Sequence, residues 1–255
     1  MDAARDLLRA DNGFVRWRLG YGAFIGAEYP YFYMETPKAA CTTTKALLWR
    51  LEGLGPRPCE TNRLHERPWW DRRRSPLTVP EEQAREALVG GSVFRFFVWR
   101  DPVARQLSAY NEKIRLGHYA AGSPLAALVG RIRTAFDLRP EQEIGFDQFS
   151  EFVCAMPDRD REHHVMSQRM QLLTDFIDYH YAVRTDDYAA GMADVLSAIG
   201  VPKRRRPDLT ERHNSSCCDA VLVSKATSDR IRKAYAADYD LIRAFERAGA
   251  TRPAR

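Results

Sequence analysis

The sequence predicts an α/β protein with a three-layer, P-loop-like fold, in which a central, mostly parallel sheet is flanked by helices. Three observations point there. "YPYFYMET", "SVFRFFVWR" and "FIDYHYAVR" are rich in aromatic and β-branched residues and read as buried strands. Stretches with helical apolar spacing lie between them, the alternation that parallel sheets require. No internal repeat or low-complexity linker interrupts the 255 residues, so the chain reads as a single domain.

The elements follow in order. After the strand "YPYFYMET", the stretch "TTTKALLWRLEGL" offers Ala46, Leu47, Trp49, Leu51 and Leu54 as an apolar face, with Gly53 and Gly55-Pro56 as stops. A loop rich in Pro, Trp and Arg, "CETNRLHERPWWDRRRSPLTVP", precedes the short helix "EEQAREALVG". The strand "SVFRFFVWR" ends in Arg100-Asp101-Pro102, and a helix opens over "VARQLSAYNEKI". "FDQFSEFVCAM" is amphipathic through Phe146, Phe149, Phe152 and Val153. The third strand, "FIDYHYAVR", leads to a helix closed by Gly200, and "SKATSDRIRKAYAADYDLIRAF" forms a helix pair or one bent helix.

Composition narrows the class. With 45% hydrophobic and 29% charged residues the chain resembles an ordinary soluble globular protein. A net charge of +5 is compatible with an anionic ligand but does not single out nucleic acid. The five cysteines form no C-x-x-C pair, which points away from a disulfide framework or zinc site and towards a reducing compartment. No apolar run reaches membrane-spanning length and the start is too charged for a signal peptide, so a cytoplasmic protein is expected.

Two strand-to-helix turns carry the chemistry. In the first, Lys38 precedes Ala39, Ala40, Cys41, Thr42, Thr43 and Thr44 at a helix start, where unpaired N–H groups and hydroxyls suit an anion. The G-x-x-x-x-G-K-[ST] pattern of a magnesium-dependent NTPase is absent, and no metal is expected. In the second, "RDPVARQLSAY", Arg100 can fork onto a phosphate, with Arg105 and Ser108 further along the helix. Each turn alone also fits capping threonines or a structural ion pair. Together they suit one ligand with anionic groups at two positions.

"PKAACTTTK" resembles the 5′-phosphosulfate loop of the sulfotransferases, and "RDPVARQLSAY" their 3′-phosphate segment. "FDQFSEFV", "HHVMSQRMQLL" with "DYHYAVRTDDY", and "RHNSSCCDAVLVSKATSDRIRKAYAADYDLI" look like the carbohydrate (family 2) branch. The last holds an H-x-N-S-S element and a Y-x-x-D pattern in the terminal helix. The likeness runs collinearly from Tyr31 to Phe245. It implies a donor, 3′-phosphoadenosine 5′-phosphosulfate, and a carbohydrate or glycoconjugate hydroxyl as acceptor. Membrane contact is then expected only with a glycolipid acceptor, and no nucleic-acid partner is expected.

The resemblance also implies roles. Lys38 would neutralise the bridging oxygen of the leaving nucleotide. Thr42 and Thr43, with the loop N–H groups, would bind the 5′-phosphate, and Arg100 and Ser108 the 3′-phosphate. Asn214 and Ser215 would close over the nucleotide. The acceptor needs a general base, for which His65 leads and Glu66 is the substitute; His163 and His164 are rivals. His118, His180 and His213 read as structural. Ala40 stands where relatives commonly place glycine, so the loop must either avoid positive φ there or tolerate it at a cost. Two alternatives are a non-catalytic nucleotide- or polyanion-binding module, suggested by Trp69-Trp70 among arginines, and a divergent P-loop kinase. Lys38 speaks against the first, and the missing G-K-[ST] element against the second.

Overall fold

A computed structural model describes residues 7–8, 12–53, 74–211 and 222–250. His65, Glu66, Trp69, Trp70, His213, Asn214 and Ser215 lie outside them. The chain divides into two compact units, one of residues 1–99, 171–214 and 242–255 and one of residues 100–170 and 215–241.

The first unit holds the sheet. Strands β1 (Ala23–Ile25), β2 (Tyr31–Met34), β3 (Phe94–Trp99) and β4 (Tyr181–Arg184) lie in the order β1-β2-β3-β4. β2, β3 and β4 pair in parallel, with Tyr33 opposite Phe96 and Phe97 opposite Ala182; β1 adds an antiparallel edge. The expected mostly parallel sheet is therefore present. Its strands read as continuous apolar runs because both faces are covered. Tyr31, Tyr33, Phe96, Val98, Tyr181 and Val183 pack with α2 (Cys41–Leu51) and α8 (Tyr188–Ala198) in one core. On the other face, Phe97 meets Tyr179 at 5.1 Å and Phe245 at 5.2 Å between ring centroids. α3 (Glu81–Val89) precedes β3. Gly200, at φ 80°, takes the left-handed turn that closes α8, and the amide of Val201 returns to Leu196 O.

Ahead of β1, α1 (Gly13–Trp17) is capped by the Asn12 side chain and continues as a π-helical turn, Arg18–Gly22. The Arg18 side chain is fully buried there, donating to Gln171 O and to Glu35 O. A Cβ on Gly22 would lie 2.6 Å from that guanidinium, so only glycine leaves it room.

The second unit is helical. α4 (Pro102–Ala109) runs into a π-helical turn, Tyr110–Arg115, and is followed by α5 (Pro124–Ala135), α6 (Phe146–Ala155) and α9 (Lys225–Ala234). Phe146, Phe149 and Val153 of α6 are buried in its core with Leu128 and Ile132 of α5 and Ile231 of α9. The short α7 (Gln168–Gln171) and α10 (Ala236–Arg247) each begin in this unit and end in the other. The terminal segment is thus a pair of helices. No helix among the described residues is long and apolar enough to cross a membrane.

Candidate active site

In the first unit, the segment leaving β2 builds a loop and then the start of α2. Thr36 is buried and donates to Val98 O at 2.9 Å, tying the loop to β3. Lys38 then adopts φ 67° and Ala40 φ 53°, both left-handed. Of the two ways a Cβ could be accommodated at Ala40, the loop takes the strained one, a conformation that costs a non-glycine residue about 1–2 kcal/mol. Strain of this kind collects where function fixes the backbone.

Ala40 is the N-cap of α2 and supplies no capping side chain. The first turn of α2 carries the positive end of the helix dipole, with no capping side chain from Ala40 set against it. Thr42 and Thr43 sit on that turn, each 8% exposed. Thr44 differs: its hydroxyl donates to Ala40 O at 3.0 Å and lies 3.1 Å from Tyr188 Oη, so it fastens α2 to α8. Cys41 is a half-buried free thiol.

Beneath the loop lies an ion pair that the sequence did not announce. Lys45 Nζ approaches Glu35 Oε2 at 2.8 Å, and both side chains are almost wholly buried. Burial alone would lower the Lys45 pKa; the Glu35 carboxylate outweighs it and holds the ammonium above its ordinary value. Glu35 precedes the loop and Lys45 follows it, so the pair joins the loop's two ends.

In the second unit, the turn Arg100-Asp101-Pro102 opens α4. Asp101 caps this helix by accepting from Val103 N at 2.9 Å and Ala104 N at 3.1 Å, and Pro102 occupies the first helical position. Arg100 is part-buried. Burial, and then the neighbouring Arg105, press its guanidinium below the ordinary pKa, against the pull of Asp101. A cation in that state gains from an anion. Arg105 is buried and donates to Met166 O at 2.7 Å, an internal use. Ser108 is 7% exposed on the same helix.

The second unit also contains Glu162-His163-His164. Glu162 Oε1 lies 2.6 Å from His163 Nδ1 and 2.9 Å from His164 Nδ1, and Glu162 Oε2 accepts the His164 amide at 2.8 Å. The three donor atoms lie within 4.8 Å of one another, close enough to grip a metal ion; the same contacts equally serve to fix both imidazoles by hydrogen bonding. His180 is structural: its Nδ1 accepts the Arg95 amide at 2.9 Å and its ring stacks on Phe94. His118 is exposed.

The structure thus gathers Lys38 through Thr44 into one loop and helix start, and sets Arg100 and Ser108 on one turn and helix. A mostly parallel α/β sheet whose strand leads through Lys38 into a helix start with no side-chain cap is an arrangement that suits an anionic group. The model of the sulfotransferase family matches residues 21–243, most of the chain, and the protein belongs to that family, in the family 2 branch; it is a transferase. No curated protein and no solved structure matches it.

Proposed function

We propose that the chain is a single sulfotransferase domain that transfers a sulfuryl group from 3′-phosphoadenosine 5′-phosphosulfate to a hydroxyl of a carbohydrate or glycoconjugate. The observation that carries this is the start of α2, without a side-chain cap, behind a lysine held at positive φ. Lys38 neutralises the bridging oxygen, Thr42 and Thr43 with the loop amides hold the 5′-phosphate, and Arg100 and Ser108 hold the 3′-phosphate. The two segments leave the C-terminal ends of β2 and β3, hydrogen-bonded parallel neighbours, which is where ligands of such sheets bind.

In the reaction the acceptor oxygen forms a bond to sulfur as the bond from sulfur to the bridging oxygen breaks. The electron pair stays on the leaving 5′-phosphate, where Lys38 offsets the charge, and the acceptor proton passes to a base. Catalysis of this kind is positioning plus electrostatics. His65 is the proposed base, with Glu66 its substitute and His163 or His164 its rivals; Asn214 and Ser215 are proposed to close over the nucleotide.

A thermal-shift comparison of 3′-phosphoadenosine 5′-phosphate with AMP, ADP and ATP tests the donor. At a hundredfold excess over Kd, binding stabilises by about 2.7 kcal/mol, a shift on the order of 5–10 °C. A shift confined to the bisphosphorylated nucleotide supports the reading; none, or an equal shift with ATP, sinks it. The acceptor is tested by sulfate transfer from labelled donor to a glycan panel against aryl alcohols. Label appearing only on the alcohols would refute the carbohydrate assignment.

A further inference from the structure

We infer that Gln168 is a positioning residue for Arg100, and that Asp238 and Tyr239 of α10 set the preference for a 3′-phosphate by holding the Arg100–Asp101 turn. The inference rests on the reading of Arg100 as the 3′-phosphate ligand. All the contacts that follow lie within the second unit.

Gln168 is fully buried, and its carboxamide grips the backbone of Arg100 from both sides. The Arg100 amide donates to Gln168 Oε1 at 3.0 Å, and Gln168 Nε2 donates to Arg100 O at 2.8 Å. The side chain stands in for the peptide of a neighbouring strand, one residue beyond the end of β3. Both groups of Arg100 are satisfied, and with them the direction in which its Cα–Cβ bond leaves the backbone is fixed. A guanidinium recognises phosphate through a planar fork, so that direction decides whether two donors or one can meet the anion.

What holds Gln168 is the terminal helix. Asp238, wholly buried, accepts the amide of Gln168 at 3.0 Å on Oδ2 and that of Arg169 at 2.8 Å on Oδ1. It thereby caps α7, a helix too short to persist alone. Tyr235 donates to Val165 O, and the Arg161 guanidinium lies 4.6 Å over its ring. Tyr235 and Asp238, the Y-x-x-D pair, therefore pin the segment that carries Gln168 at two points. The next residue, Tyr239, donates to Asp101 Oδ2 at 2.8 Å, on the carboxylate that caps α4. Consecutive residues of one helix thus govern both residues of the turn, Asp101 directly and Arg100 through Gln168.

The test is the ratio of two dissociation constants, for 3′-phosphoadenosine 5′-phosphate and for AMP, on the full chain of the wild type, Gln168→Met and Tyr239→Phe. A ratio is insensitive to a misfolded fraction. Gln168→Met is expected to lower the preference for the 3′-phosphate on the order of tenfold while leaving AMP binding unchanged, as for the loss of one or two positioning hydrogen bonds. Tyr239→Phe, at a half-buried position, is expected to lower it by a smaller factor. An unchanged preference in both variants overturns the inference, as does an equal loss for both nucleotides, which is what a purely structural role gives. If Gln168→Met does not fold, Tyr239→Phe decides alone. A wild type that fails to prefer the bisphosphate overturns the donor reading first, and this inference with it.

Discussion

Replacing Lys45 by methionine tests whether the loop after β2 is held together by charge. The pair it forms with Glu35 has its charged atoms 2.8 Å apart, with side-chain exposures of 4% and 3%. At that distance and an effective dielectric near 20, the attraction is roughly 6 kcal/mol. Most of it is offset by the desolvation of two ions, so the intact pair contributes little net stability. Removing one partner is different. It leaves a buried carboxylate with Arg18 as its remaining opposite charge, and such a loss costs about 3–5 kcal/mol. Because Arg18 offers partial compensation, the lower end is expected, a fall in Tm of roughly 6–12 °C for a chain this size. The assay is a double-mutant cycle of Lys45→Met, Glu35→Gln and both together, followed by thermal and urea unfolding at pH 7. The double variant should recover at least half the loss. Additive losses, or a single loss below about 1 kcal/mol, would refute the reasoning, because they are what a solvated surface pair gives.

Other substitutions probe the same loop and the sheet. Lys38→Ala should depress turnover by about 10²–10³-fold with little change in the Kd for 3′-phosphoadenosine 5′-phosphate, since its proposed work is on the leaving oxygen; a parallel loss in both would make it a binding residue only. Ala40→Val should lower Tm by roughly 2–8 °C, a β-branched residue at positive φ losing about 1–2 kcal/mol more, while Ala40→Gly should not lower it; a valine variant melting with the wild type would contradict the φ of 53°. Burial, and then the Arg95 charge, lower the His180 pKa below 6.5. The unfolded chain therefore binds the extra proton first, and stability falls as pH drops below about 6.5 towards the folded value. The slope should flatten in His180→Phe, and an unchanged slope would remove His180 from the acid response.

Much of this was legible because it was local. Tyr31–Met34, Phe94–Trp99 and Tyr181–Arg184 announce themselves as strands by continuous aromatic and β-branched runs, which sheets covered on both faces require. The three-residue β1 gave no such run. α5 lies outside the elements expected from the sequence although its signals are present: Ser123 caps it, Pro124 opens it, and Leu125, Leu128, Val129 and Ile132 line one face. α2 is buried beyond its apolar face, since Thr42, Thr43, Thr44 and Lys45 are buried as well. No local pattern tells a buried lysine from a solvated one; the answer lies ten residues back, in Glu35. Gln168 and Asp238 act across about seventy residues of chain, beyond the reach of any periodicity.

The two turns proposed to bind the donor differ in a way that gives each different work. At α2 the N-cap is an alanine with no side-chain acceptor, so an incoming anion can be taken up by backbone amides and the helix dipole. At α4 the first-turn amides of Val103 and Ala104 are already satisfied by Asp101. A 3′-phosphate proposed to bind there could not rely on those two amides, and its recognition would fall to side chains, the Arg100 guanidinium above all. Backbone amides are placed by the fold itself, whereas a long side chain must be aimed and loses rotamer entropy when it is. On the proposed reading, the strain and ion pair of the loop after β2 set the path of a backbone, whereas the buried glutamine and terminal helix at the turn after β3 set the aim of a single residue.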